Sequence, residues 1–334
     1  MPDVVTFGEI MLRLTPPGHL RLTQAPHFEI TFGGAEANVA VMIVQLGSSA
    51  GYVTRLPAND LAQRAINELR GLGVDTTSII RAGDRIGVYF LEQGASQRPG
   101  KIVYDRAHSA IAEAQPGEFQ WDKIFAGAKW FHWSGITPAL SASTAKVVEE
   151  AVAAARRAGL AVSFDLNYRA KLWGDPERAG AVLSPLMNGV HLCVTSIEEA
   201  QAVFGIEAPE DPGPRATATA LQLCAKFGFE TVALTQRQGA SADKTSWGAM
   251  LFHDGESYFS TRHEISIVDR VGAGDSFTGA LVFALLRGDA PQRAIDFAVA
   301  ASTLKHTLPG DYNLVSLEEI EALAGGSGGG RVQR

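Results

Sequence analysis

Cysteine is nearly absent from this 334-residue chain: only Cys193 and Cys224 occur. Neither has a Cys-x-x-Cys partner, which excludes the usual thiolate zinc site. Both lie in apolar segments and read as reduced core residues of a cytoplasmic protein. No block of Lys and Arg stands out and the formal net charge is −7, which argues against a general nucleic-acid binder. No apolar run reaches the roughly 20 residues needed to cross a bilayer. The N-terminus enters a strand pattern directly, without the basic and apolar regions of a signal peptide. No GxGxxG turn follows that strand at Gly8, which weakens a dinucleotide-dependent dehydrogenase reading. There is no internal repeat.

What is present is the composition of an ordinary globular protein. Hydrophobic residues make up 46% and charged residues 19% of the chain, enough at this length for a sizeable core. Short β-rich runs alternate with longer helical ones. Residues 4–8, 51–54, 130–133, 160–165, 191–195 and 231–235 read as strands. Apolar residues at helical spacing mark 35–46, 61–72, 142–158, 217–227, 277–286 and 291–304 as helices, the first four each stopped by a glycine. Ser196-Ile197-Glu198-Glu199 reads as a cap and first turn. The alternation predicts an α/β domain with a mostly parallel sheet and helices on both faces. Residues 12–30 and 85–106 break the pattern. They alternate in period two and predict antiparallel strands of a small β-lid inserted into a single domain spanning 1–324. Residues 207–214, rich in proline, read as a surface loop, and 325–334 as a flexible tail. Trp130, His132 and Trp133 share a strand and read as core rather than as a metal or stacking site.

The most informative stretch is Asp269-Arg270-Val271-Gly272-Ala273-Gly274-Asp275, followed at once by a helical pattern. Small residues let the backbone turn tightly and approach a ligand. A helix starting at Asp275 points free N–H groups and its positive dipole end into that turn, which suits a phosphate. Asp275 adds a carboxylate at the same spot. A phosphate cradle with a base beside it is what phosphoryl transfer to a hydroxyl requires. Taken alone, the tetrapeptide also reads as a tight turn with Asp275 as helix N-cap. Position decides between them: the motif comes late in the chain, and Gly33-Gly34 opens another helix near the start.

Gly33-Gly34-Ala35-Glu36-Ala37-Asn38-Val39-Ala40, together with 269–277, resembles the two signature regions of the ribokinase/phosphofructokinase-B carbohydrate kinases in order and spacing. The resemblance covers nearly the whole chain. It implies a ribokinase-like fold and a sugar kinase using ATP and Mg²⁺, and leaves a monovalent cation open. Val103-Tyr104-Asp105-Arg106, 164–169 with Leu172-Trp173, and Leu308-Pro309-Gly310-Asp311 resemble the members that phosphorylate 2-keto-3-deoxy sugar acids. A carboxylate substrate suits arginine, which makes paired hydrogen bonds.

By that resemblance Tyr104, Arg106, Arg169 and Asp311 contact the substrate, and Gly34 and Asn38 bind its hydroxyls. Asp105 is expected to point away from a carboxylate site. Asp275 is the base, the N–H groups of Gly272, Ala273 and Gly274 hold the transferring phosphoryl, and Asp269 fixes the substrate or a cation network. Asn167 is expected near the phosphates, directly or through metal-bound water. No metal ligand is singled out, since Mg²⁺ at such sites is held largely by phosphate and water. The family's Thr-x-Gly-x-x-Gly loop is altered here to Thr235-Gln236-Arg237-Gln238-Gly239-Ala240, and Arg237 either pairs with a phosphate or blocks the backbone approach. Ala301, Ser302 and His306 fall where related kinases hold adenine; His306 also reads as a plain helix-end histidine. Exposed lid edges and an apolar lid face suggest a homo-oligomer. The rival readings are a fructokinase- or ribokinase-like enzyme on a neutral sugar, and a catalytically silent sugar sensor.

Overall fold

The computed structural model describes residues 1–209, 211–239 and 241–326; the remainder of the expected tail, 327–334, lies outside them. In chain order the strands are β1 (Val4–Phe7), β2 (Met11–Thr15), β3 (Glu29–Gly33), β4 (Ala50–Val53), β5 (Arg55–Leu56), β6 (Ile80–Arg81), β7 (Gly87–Glu92), β8 (Lys101–Asp105), β9 (Trp130–Ser134), β10 (Ala161–Asp165), β11 (Leu192–Thr195), β12 (Thr231–Gln238), β13 (Lys244–His253), β14 (Glu256–Phe259) and β15 (His263–Ser266). A nine-stranded sheet runs β14-β13-β12-β11-β10-β9-β1-β4, with β15 also paired to β13. From β4 to β12 every pairing is parallel. These strands are buried almost end to end, as expected where helices cover both faces. One apolar cluster, with Phe277 and Phe297, packs on one face, and another, with Phe131, Trp133 and Phe164, on the other. His132 is core: its Nδ1 meets Ser163 Oγ at 2.8 Å, and burial pushes its pKa down to about 3.

The sheet is mostly parallel, as expected, and antiparallel at its β13–β15 edge. No crossover helix follows β12, so the chain can only return as a hairpin neighbour. Most helices begin and end close to the expected positions, including Ala35–Gln45, Asp60–Gly71, Ala142–Arg157 and Pro291–Lys305. Two begin earlier than expected. Pro212–Phe227 starts inside the stretch read as a loop, because a first helical turn needs none of its own N–H groups and tolerates proline. Ala273–Arg287 starts before Asp275, with Gly272 as its N-cap. Asp275 is therefore not the capping residue; it lies inside the first turn.

The lid is a separate four-stranded sheet, β3-β2-β7-β8. The pairs β2/β3 and β7/β8 are antiparallel as expected, but β2/β7 is parallel. The two halves come from distant segments that leave the body in the same direction, so a parallel seam joins them. Between β2 and β3 the chain forms turns, so the expected strand character of 12–30 survives only at its ends. One lid face carries Met11, Tyr89 and Leu91 against Ile102, Tyr104 and Val271. The opposite face carries an in-register row of Ile30, Leu14, Phe90 and Val103.

Candidate active site

A cavity of about 570 Å³ opens between the lid and the carboxyl ends of β9 to β12, the usual ligand crevice of an open parallel sheet. The lid gives it Met11, Tyr89, Ile102, Tyr104 and Arg106. The strands give Asp165, Thr195, Thr235 and Arg237, with Asn167, Arg169 and Glu199 just beyond the ends of β10 and β11. Two helix starts close it: Gly34 and Asn38 on one side, Gly272, Gly274 and Asp275 on the other.

These two starts are held close by backbone. Gly272 has φ +83°, and a side chain there would lie 2.0 Å from the Asp311 carbonyl oxygen. At Gly34 an added Cβ would meet the Glu9 carbonyl oxygen at 1.9 Å. Glycine is required at both by contact, and at Gly272 by conformation as well. Across the gap Asn38 Nδ2 donates to Asp275 Oδ2 at 2.6 Å. Burial pushes the Asp275 carboxyl up to about 6; the Asn38 hydrogen bond and the Arg169 charge act against that rise. A carboxylate poised near neutrality at a helix start, where free N–H groups suit an anion, can take a proton from a hydroxyl.

Of the two arginines expected at a substrate carboxylate, Arg106 is already committed. Its Nε donates to Glu9 Oε2 at 2.7 Å, its Nη2 pairs with the same oxygen, and Ser109 Oγ donates to Glu9 Oε1 at 2.6 Å. Its guanidinium still lines the cavity, over the Tyr104 ring. Arg169 donates to the Tyr168 carbonyl and, among the described residues, has no carboxylate within ion-pair distance. Asp105 points outward to Arg85, as expected.

Asp269 is not on the cavity wall. It pairs with Arg13, which also reaches Asp311 at 2.7 Å, and all three are buried. Tyr89 donates to Asp311 at 2.7 Å, so β2 and β7 of the lid are tied to the Gly272 turn and the C-terminal loop. Ala301 and His306 are also away from the cavity. Ala301 is fully buried, its carbonyl accepting from Asn313 Nδ2. His306 packs on Trp247 with Nδ1 on the Ser302 carbonyl, and burial pushes it down to about 4. Ser302 Oγ donates to the Ala273 carbonyl, so this helix end braces the phosphate turn instead. Ala273 is buried behind its neighbours and Gly239 is exposed outside the cavity; Ala240 lies outside the described residues.

Arg237 lies over Trp247 and lines the cavity with Arg270 and Arg169. Desolvation, then the charges of Arg270 and Arg169, pull its pKa down. Three guanidiniums that repel one another on one wall make a receptor for a multiply charged anion. The carboxyls of Asp165 and Glu199 line the same cavity, both raised chiefly by burial, with the Arg169 charge acting against the rise. Asn167, at φ +40°, keeps Oδ1 buried without a hydrogen-bond partner. Among the described residues no group of three or more His, Cys, Asp or Glu is arranged to hold a metal. Glu9, Arg13 and Tyr89 carry no local motif, and sequence reasoning missed them as site residues; Asp165, Arg270 and Glu199 lie in stretches already singled out, 164–169, 269–275 and the helix cap at 196–199, but were not named for the site.

A lidded parallel sheet with a carboxylate at a phosphate-binding helix start defines an enzyme that phosphorylates a small hydroxyl compound. The sequence pattern described as pfkB family carbohydrate kinase matches residues 1–318, and the chain belongs to that family. It is 37% identical to a 2-dehydro-3-deoxygalactonokinase of Haloferax volcanii, over 98% of each chain. A 2-dehydro-3-deoxygluconokinase of Thermoproteus tenax is 32% identical, over 97% of this chain and 94% of its own. The crystal structure of 2-dehydro-3-deoxygluconokinase from Thermotoga maritima superposes with a TM-score of 0.94 at 50% identity, covering 96% of this chain and 98% of that one. Among the described residues no helix is long and apolar enough to cross a membrane.

Proposed function

We propose that the protein transfers the terminal phosphoryl group of ATP to 2-keto-3-deoxygluconate, giving the 6-phosphate, with residues 1–324 acting as one catalytic unit under the small-sheet lid. The observation that carries this is Asp275, raised to about 6 and bonded to Asn38, in one cavity with the uncommitted Arg169. The names of the 50% and 32% identical relatives support the substrate. Asp275 takes the proton of the attacking hydroxyl. The N–H groups of Gly272, Ala273 and Gly274 receive the transferring phosphoryl, and Arg237 and Arg270 face the polyphosphate. Arg169 takes the sugar-acid carboxylate, Tyr104 and Arg106 bound it from the lid, and Gly34 fixes a hydroxyl. Asp311, on the cavity wall, faces the substrate, and Asp269 acts from behind through Arg13. Mg²⁺ supplies charge neutralisation on the phosphates. The unpartnered Asn167 Oδ1 and the Glu199 and Asp165 carboxyls fit it as direct or water-mediated ligands.

Arg169→Met tests the carboxylate assignment. Loss of a charged hydrogen-bonding partner, about 1.5–3 kcal/mol, predicts a KM for the keto-deoxy acid about 10- to 100-fold higher. An unchanged KM would sink the assignment. The C4 epimer, 2-keto-3-deoxygalactonate, is a second substrate reading, favoured by the name of the Haloferax relative. The half-exposed row Ile30, Leu14, Phe90 and Val103 on the outer lid face supports a homo-oligomer in which a second copy covers it.

A further inference from the structure

Lys305 is the one lysine among the buried polar and charged residues of the described chain, with no side-chain exposure. It stands on the last turn of Pro291–Lys305, and its Nζ donates to the Leu308 carbonyl at 3.1 Å. Among the described residues no carboxylate is within ion-pair distance of it. Removing an ammonium from water is costly unless its surroundings replace the lost hydration. Here those surroundings are charged. Burial pulls its pKa down; the charges of Asp269 on the phosphate turn, Asp311 on the C-terminal loop and Asp275 in the first turn of Ala273–Arg287 favour the ammonium and that of Arg13 on the lid opposes it, with the buried His306 next to it in the chain. Asp269, Asp311 and Arg13 together carry one excess negative charge, and Lys305 cancels it.

The backbone around this ammonium is the backbone that fixes the phosphate turn. The His306 carbonyl accepts from Val268 and Asp269 N–H, Ser302 Oγ donates to the Ala273 carbonyl, and Gly310 N–H donates to Asp269 at 3.2 Å. The Asp311 carbonyl rests against Gly272. We propose that the Lys305 ammonium is a cation built into the chain, holding the C-terminal loop against the Gly272 turn as a bound monovalent ion could, so that turnover needs no added potassium or ammonium. Lys305 touches neither substrate nor nucleotide in this account; it is a positioning residue. The inference rests on the kinase reading.

The test is the initial rate of the full-length protein on its sugar acid with Mg-ATP, in choline buffer and with potassium, sodium or ammonium chloride added at constant ionic strength. Wild type is expected to run at the same rate in all four. Lys305→Met is expected to lose kcat by up to about a hundredfold, the scale of an ångström's misplacement of reacting groups, with both KM values nearly unchanged. Ammonium or methylammonium should restore part of that loss, and choline none. Stimulation of wild type by potassium of about tenfold or more, which is 1.4 kcal/mol of barrier, overturns the inference even where Lys305→Met fails to fold. A folded Lys305→Met with wild-type kcat, or one that no small ammonium ion restores, also overturns it. Failure of the kinase reading shows differently, as a silent wild type, and that removes both.

Discussion

Asp275 gathers the site's electrostatics into one carboxyl. Its pKa of about 6 lies above the ordinary 3.8, because burial outweighs Asn38 and Arg169. As the proposed base it must be ionised, so kcat/KM should fall as pH drops below about 6. The stability effect has the opposite sense. The folded state binds this proton more tightly than the unfolded one, so the group costs stability as pH rises from about 4 through about 6. Asp275→Asn escapes that cost. It should lower kcat by about 10²- to 10⁴-fold while melting no lower than wild type at pH 7; a clear drop in Tm would contradict the burial argument. At this scale Asp275, Asn38, Gly34 and Gly272 were legible, because contiguous motifs carry them. Arg13, Glu9 and Tyr89 were not. Their partners are far away in the chain, Arg13 with Asp269 and Asp311, Arg106 with Glu9, and no local spacing announces such a pair.

Between elements, the Glu9–Arg106 pair joins the end of the lid strand β8 to the end of β1. Arg106→Met leaves a buried carboxylate without its cation and should destabilise by about 3–5 kcal/mol. Adding Glu9→Gln should recover most of that. Denaturant melts check both, and a single variant as stable as wild type would refute the pairing. Loss of activity in Arg106→Met therefore does not by itself assign Arg106 to the substrate. Alternation within 12–30 and 85–106 revealed strands but not their neighbours. The parallel β2/β7 seam joins residues separated by two helices and a strand of the α/β body, which side-chain period does not encode. Only the start of the helix at Pro212–Phe227 was hidden, because prolines read as loop until their place in a first turn is known.

Across the whole molecule, the βαβ alternation made the parallel centre of the sheet readable, since its strands are short buried runs and β9, β10 and β11 are each followed by a helix. The outer lid row supplies a prediction at this scale. Sedimentation at micromolar concentration should find an oligomer, and Val103→Asp, on the face away from Tyr104, should weaken it. A wild type that is monomeric throughout would remove the lid interface. The most direct test of the central claim is ADP release from Mg-ATP across 2-keto-3-deoxygluconate, 2-keto-3-deoxygalactonate, fructose, ribose and adenosine, with Asp275→Asn alongside. The account predicts turnover on a keto-deoxy acid that vanishes in the variant; turnover on a neutral sugar alone, or sugar binding without turnover on any of them, would contradict it.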